Sequence, residues 1–380
     1  MLAYFAVTAV TGVVSGFSEW VVRTFQRDRI QQAEKTGQQV TKHARWTPFD
    51  FIAIAILVTF SAMRFEVGTD YLAYYRRYYF TDPGSWSEFI AASPQEAGFT
   101  TLSLFLKTIS DSPYLIFWVT SALTVIPAYV AIKKKSYDPT MSVLLYILLA
   151  FFVSPFNIIR QGVAISLNFW ASTFIDKNKK AFVLINAIAT MFHTSVVIAA
   201  IVQLVIHKWK PTGKKVFLFV IVGLAGAGLL KVAPVAATWL NALNPRYDNY
   251  LAQSAENTAG LGTYLVIAAH LALLIYAIVM LKNQPPKSEL ENQDNSRYMV
   301  YVAAGLAFVI IGTQSIVVSR LEYYFAISLV LLIPNAIRQA KSADLHRLIM
   351  LVMAGIYFAF FLTHYGDLVP YKTIDEATIG

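Results

Sequence analysis

The sequence predicts an all-α polytopic membrane protein with about 11–12 transmembrane segments. Three observations carry that prediction. Of 380 residues, 57% are hydrophobic and only 14% charged, whereas soluble domains carry about 25% charged residues. Mean hydropathy is +0.53. The apolar residues form long continuous runs instead of alternating with polar ones, which favours spanning helices over a β-barrel.

The spans read in order as 1–22, 48–63, 113–132, 140–154, 157–175, 181–206, 215–232, 262–281, 298–318, 321–337 and 346–365. Residues 1–22 lack a basic leader and a clear small-residue cleavage site, so they read as a retained span. Together the spans form one integral membrane domain, 1–380, with no internal repeat and no low-complexity tract. Between them lie a basic loop, 23–47, and two long loops, 64–112 and 233–261.

The net charge of +9 does not point to nucleic acid, because most Lys and Arg sit in short loops, where they set topology. Placing Arg23–Arg45 and Lys133-Lys134-Lys135 in the cytoplasm makes 23–47 a cytoplasmic loop and 64–112 an extracytoplasmic one. The latter carries Glu66, Asp70, Asp82, Glu88, Glu96 and Asp111. Lys177, Lys179 and Lys180 return inside if 140–154 and 157–175 form a hairpin that breaks at Ser154-Pro155, where proline removes a donor and favours a turn. Segment 181–206 keeps the later loops consistent only as two half-helices meeting near His193. Each half is about 18 Å long, too short for a hydrocarbon core of about 30 Å. A re-entrant hairpin of this kind must line protein or water. The alternative is an incomplete crossing at 140–175. With 181–206 re-entrant, 233–261 is extracytoplasmic, Arg320 falls outside, and so does the tail from Tyr365.

One charge stands out. Arg160 is the only charged residue between Met141 and Ile175, and a central arginine costs a spanning helix roughly 2.5–3.5 kcal/mol. The break at Ser154-Pro155 moves it to the first turn of the following helix, near the outer face. The same topology brings Arg64, Asp70, Glu96, Arg160, Gln161 and Arg320 to that side, with His193 facing it from within. Three arginines suit a phosphate-rich ligand, since guanidinium forks bind phosphate oxygens bidentately and stay charged. A half-buried histidine suits a base near neutral pH.

Each residue also has a plainer reading. Any single arginine at a helix end snorkels to headgroups, and only the set of three argues for a ligand. His193 reads equally as a packing histidine. His270, in an apolar span without acidic neighbours in sequence, reads as packing. Asp70 reads equally as a helix cap. Tyr71, Tyr74, Tyr75, Tyr78 and Tyr79 recur at helical spacing, as an interfacial belt does; sugar stacking is their functional reading. No phosphate-binding loop, H-E-x-x-H, metal-ligand spacing, D-x-D or G-x-S-x-G occurs, and there is no cysteine. No metal and no cofactor is expected.

The segments R-F-E-V-G-T-D-Y at 64–71, E-A-G-F at 96–99, N-I-I-R-Q-G-V-A at 157–164, F-H-T-S at 192–195 and S-R-L-E-Y-Y-F at 319–325 together resemble the EpsG family, which is related to the Wzy-type O-antigen and exopolysaccharide polymerases. The resemblance implies a helical bundle like the GT-C glycosyltransferases. It also implies a polymerase of undecaprenyl-diphosphate-linked oligosaccharide repeat units, acting at the outer face of the bacterial cytoplasmic membrane by inverting transfer without metal. Carried over by position, Arg64, Arg160 and Arg320 match the family's arginines and His193 its histidine. His193 is then the first candidate for the base, with Asp70 or Glu96 the second, and Gln161, Tyr71 and Tyr324 join the arginines as expected substrate contacts. Expected partners are the lipid-linked oligosaccharide, the bilayer, a chain-length regulator and a flippase. A ligase of the same superfamily would use the same chemistry. A transporter of the lipid-linked unit would tend to show repeated halves, which are absent here.

Overall fold

The computed structural model describes residues 1–36, 46–82, 84, 86–87, 90, 93, 95–232, 260–282 and 289–374. The expected loop 23–47 is helical as far as Thr36; its residues 37–45, most of the expected loop 233–261, and Glu88 lie outside the described residues. The helices are α1 (Leu2–Thr36), α2 (Pro48–Ala62), α3 (Tyr71–Tyr79), α4 (Ala97–Lys107), α5 (Tyr114–Lys135), α6 (Pro139–Leu148), α7 (Ile159–Ser172), α8 (Lys179–Thr190), α9 (Val196–Ile206), α10 (Gly213–Val232), α11 (Leu261–Lys282), α12 (Glu289–Ile311), α13 (Ile316–Ser319), α14 (Tyr323–Ala326), α15 (Leu329–Ile337) and α16 (Ala343–His364). Among the described residues the only extended pairing is an isolated antiparallel bridge between Arg64 and Thr373. The protein is an all-helical polytopic membrane protein.

Among the described residues, six helices are long and apolar enough to cross a bilayer, within Leu2–Phe25, Tyr114–Lys135, Gly213–Leu230, Leu261–Lys282, Glu291–Gln314 and Ala343–His364. A seventh crossing results if Ile316–Ala326 and Leu329–Ile337, bent by 42°, count as one. The expected spans 48–63, 140–154 and 157–175 appear instead as shorter helices of 15, 10 and 14 residues, and 181–206 forms two short helices of 12 and 11 residues, as the expected half-helices do. At 1.5 Å per residue these reach only about 15–22 Å. The chain is broken where the sequence supplies breakers. Between α6 and α7, Ala150 has φ 65°, a 3-10 turn spans Ser154–Phe156, and Pro155 lies within it. Segment 181–206 is interrupted at Met191–Ser195. The loop 64–112 is partly helical, because α3 buries Tyr71, Tyr74 and Tyr78 and α4 buries Phe99, Leu104 and Leu106.

Packing divides the chain into two compact units, residues 1–194 with 344–380, and residues 195–343. In the first unit α5 packs against α2 and α7, α7 against α8, and α1 against α2 and α6. Helix ends are set by local chemistry. Thr47 and Asp50 form a capping box ahead of Pro48, Asp138 accepts from Met141 N at 3.0 Å, and Asn178 accepts from Ala181 N at 3.0 Å. Such caps satisfy orphan donors of the first turn. Asp50 is itself buried, and Lys133 Nζ at 2.9 Å and the Tyr129 hydroxyl at 2.9 Å both engage it. A polar knot thus ties α2 to α5. It satisfies the first lysine of the basic triplet, which an uncompensated burial would otherwise penalise.

In the second unit α12 is the central, mostly buried helix, contacted by α9, α10, α11, α14 and α15. Asn335 donates to Asn295 at 2.7 Å, the kind of amide pair that joins helices where hydrocarbon offers no alternative partner. Helix α10 is apolar all round, with Phe217, Leu224 and Leu229 exposed, as suits a lipid-facing helix.

Candidate functional site

Four of the five motifs meet within the first unit. Gly68, at φ +97°, lies against the Phe156 carbonyl and the Asn157 side chain, and an added Cβ would come within 2.7 Å of Asn157 Oδ1. That oxygen accepts from Thr69 N at 2.7 Å and from the Thr69 hydroxyl at 3.3 Å. The 64–71 and 157–164 segments are therefore joined by a contact that only glycine permits. Gly98 plays the same part for 96–99. A Cβ there would lie 2.4 Å from Met191 Cβ, and Phe99 N donates to Met191 O at 3.3 Å. His193 follows two residues on, half-buried, with its backbone N–H bonded to Ala189 O.

Arg160 stands where these segments meet. It is the second residue of α7, as the expected break requires, and its side chain is 23% exposed. Its Nη1 pairs with Glu96, the N-cap residue of α4, and its Nε donates to the Tyr74 hydroxyl at 3.3 Å. Tyr74 is buried edge-on against Phe99, with ring centroids 5.5 Å apart. Burial pushes its phenol above the usual range, partly offset by Arg160, so it serves as a neutral partner. Two of the five guanidinium N–H groups are thus engaged, and the fork is held from two sides.

Arg64 is placed quite differently. It is 2% exposed, with its guanidinium over Phe156 at 4.4 Å and Phe117 at 5.1 Å. Nη1 donates to the Ser61 carbonyl, and Nε is buried without a hydrogen-bond partner. Burial, offset in part by the phenols of Tyr71, Tyr371 and Tyr4, lowers its guanidinium to about 10, so it remains charged at neutral pH. The chain around it pairs with the C-terminal tail. Phe65 N donates to Lys372 O at 2.9 Å, Ile374 N to Met63 O at 3.1 Å and Gly68 N to Asp367 O at 3.1 Å.

Tyr71 is fully buried and stacks on Phe117 at 4.5 Å with the rings 5° apart. Tyr74 and Tyr78 join it in an aromatic core with Phe99, Phe117 and Ile159, whereas Tyr79 is exposed. The expected interfacial belt is therefore mostly core, because the helical spacing that suits a bilayer rim suits burial of a short helix face equally well. The ring of Tyr71 has no open face for a sugar. Gln161 is buried too. Asp70 is half-buried at the N-cap position of α3, without a side-chain capping bond.

The fifth motif and Ser195 belong to the second unit. There Arg320 is half-buried after α13, the Tyr324 hydroxyl bonds the Ser195 hydroxyl at 3.0 Å, and Gln203 Nε2 donates to Tyr324 O at 3.4 Å. Glu322, buried, faces His270 Nδ1 at 3.0 Å. His270 thus has an acidic neighbour after all, supplied by a helix 52 positions away in sequence. Nothing in the local pattern announces that pair. Asn157 and Tyr74 were also missed as partners, although both lie in or beside the quoted motifs. Among the described residues, no three of His, Asp and Glu cluster as metal ligands would.

The fold defines a multi-pass helical membrane protein. The chain belongs to the EpsG family, whose model matches residues 48–373 and whose members are Wzy-like, exopolysaccharide-associated membrane proteins. No curated protein and no solved structure matches the chain.

Proposed function

We propose that this protein joins undecaprenyl-diphosphate-linked oligosaccharide repeat units at the outer face of the bacterial cytoplasmic membrane. The observation that carries the proposal is Arg160, held half-exposed by Glu96 and Tyr74 where four family motifs meet. A lone arginine in an apolar segment is costly. One clamped in place with donors left over is suited to a diphosphate.

In the proposed reaction an acceptor hydroxyl of the incoming unit attacks the anomeric carbon of the growing glycan from the face opposite the diphosphate. The new C–O bond forms as the anomeric C–O bond to the diphosphate breaks, and the electron pair leaves on undecaprenyl diphosphate. Arg160 neutralises that charge, a preorganised electrostatic role that needs no metal. His193 takes the hydroxyl proton, a contribution worth about 10²–10⁴-fold. Asp70, half-buried, is the second base. Glu96, already paired with Arg160, orients that arginine instead. Arg64, Tyr71 and Gln161, all buried, support the face that Arg160 presents. Tyr324 anchors the segment that carries Arg320.

The test is in-vitro extension of a lipid-linked repeat unit by the purified protein, together with glycan electrophoresis of a deletion strain. A polymerase lengthens the oligosaccharide, and its loss leaves single repeat units attached. Loss of all attached glycan would instead indicate a ligase. A purified protein that moves the unit without lengthening it would indicate a transporter.

A further inference from the structure

The stretch between α2 and α3 carries the first motif but no helix of its own, so its backbone groups need partners from elsewhere. The chain after α16 supplies them within the same compact unit. The bridge between Arg64 and Thr373 is antiparallel. The backbone bonds donated by Phe65, Gly68 and Ile374 all cross between the two segments.

Side chains fasten the crossing. The Tyr371 ring stacks on Phe60, with centroids 4.2 Å apart and planes 9° apart, and its hydroxyl donates to Phe60 O at 2.6 Å. Tyr4 of α1 meets Tyr371 edge-on at 5.5 Å and donates its hydroxyl to Leu368 O at 2.6 Å. Leu368 is fully buried. Outermost, Lys372 Nζ lies 3.5 Å from Glu66 Oε2, an exposed pair that adds little stability.

The end of this segment nearest α16 reaches the frame of the site. Gly366, at φ +65°, lies against the Asn157 amide, where an added Cβ would overlap Nδ2. The other side of that amide, Oδ1, holds Thr69. Asn157 directly precedes Ile158, the N-cap residue of α7, and Arg160 is the second residue of that helix. One amide is thus gripped between the C-terminal segment and the first motif, at the point where the chain turns into α7.

We propose that residues 365–374 are a positioning strap for the candidate site. Tyr371 and Leu368 pin the strap, the strap fixes 63–68, and Gly366 with Thr69 fixes Asn157 and so the start of α7 that presents Arg160. The strap touches no substrate and stays closed through turnover. Its effect on rate rests on the polymerase reading. The physical ground is that a misplacement of about 1 Å, caused far from the chemistry, can cost about 100-fold.

The test pairs in-vitro extension of a lipid-linked repeat unit by the full chain in detergent with amide hydrogen exchange. Tyr371→Ala should lower kcat per folded molecule roughly 10–100-fold and quicken exchange over both 65–69 and 157–162. Tyr371→Phe, which keeps the stack, should recover most of the rate. Gly366→Ala, which presses on Asn157 from the strap, should repeat the loss with the Tyr371 stack intact. A strap that only stabilises would lower the melting temperature and leave kcat per folded molecule unchanged in both variants, which would overturn the proposal. The chain has no cysteine, so Glu66→Cys/Lys372→Cys can be joined by a bis-methanethiosulfonate linker. The joined protein should extend at the wild-type rate. A loss that reductant reverses would make the segment a lid that opens, and would also overturn the proposal. Exchange needs no activity: a wild type that does not extend the unit would sink the polymerase reading alone, whereas exchange at 157–162 indifferent to both strap variants would sink the strap.

Discussion

Arg64 and Arg160 belong to the same unit and were read from the sequence as equivalent, yet their surroundings are opposite. Arg64 sits in a dry aromatic box between Phe117 and Phe156, with no carboxylate in a salt bridge and one nitrogen unsatisfied. Arg160 stands at a helix start, half-exposed, with a carboxylate and a phenol as partners. Cation–π contact and a backbone carbonyl suffice to keep a guanidinium charged in the interior, but they leave no route to a ligand. A carboxylate partner at an exposed edge holds the fork in place while leaving donors outward. Arginines in similar motifs can thus differ in role because one is covered and the other is not.

The largest expected effect separates the two. Arg160→Ala should abolish long glycan chains while the protein still inserts, and Arg160→Lys should restore them only in part, because the planar fork is lost. Glycan electrophoresis reads both. A stable Arg160→Ala protein that still makes long chains would end the comparison.

Next comes Arg64→Met, which fills the aromatic box without a charge. It should retain polymerisation per folded molecule in the in-vitro extension assay. A folded Arg64→Met protein with no polymerisation would move Arg64 into the substrate-binding set. Arg64→Ala should instead destabilise by about 2–4 kcal/mol, read as a lower melting temperature in detergent.

Glu96→Gln weakens the hold on Arg160 without emptying its place. The expected loss is about tenfold in extension rate, close to the value of a charge-assisted hydrogen bond. In a double-mutant cycle with Arg160→Lys, the effects should fall short of additive. Strict additivity would mean that the pair is not coupled.

The smallest effect tests the frame that brings the motifs together. Gly68→Ala must accept both φ +97° and a clash with Asn157, at an expected cost of about 1–3 kcal/mol. Its melting temperature should fall by several degrees. Tyr79→Ala, on the exposed side of the same helix, should leave it unchanged.

Much of this was legible in the sequence. The long apolar runs identified the fold class, Ser154-Pro155 marked the break that puts Arg160 in a first turn, and the interruption near His193 was called for by charge placement alone. Local patterns failed where two environments make the same demand. The tyrosines of α3 satisfy the pattern of an interfacial belt and of a buried face equally, and only neighbours such as Phe117 distinguish them. Three of the expected spans, 48–63, 140–154 and 157–175, proved too short for a straight crossing, since hydropathy reports where the chain is apolar and not where its hydrogen-bond ladder stops.

The sequence by itself determined that this chain lives in a membrane, that its long apolar runs are helical, and that a few arginines are too costly to be incidental. These are properties of composition and period, and they need no neighbours. Tertiary structure decided the rest. It covered Arg64 and left Arg160 open, set Glu322 against His270 and Asp50 against Lys133, and joined Asn157 to Gly68. Each of those contacts links residues far apart in the chain, and burial and pairing are fixed by what the rest of the fold brings alongside.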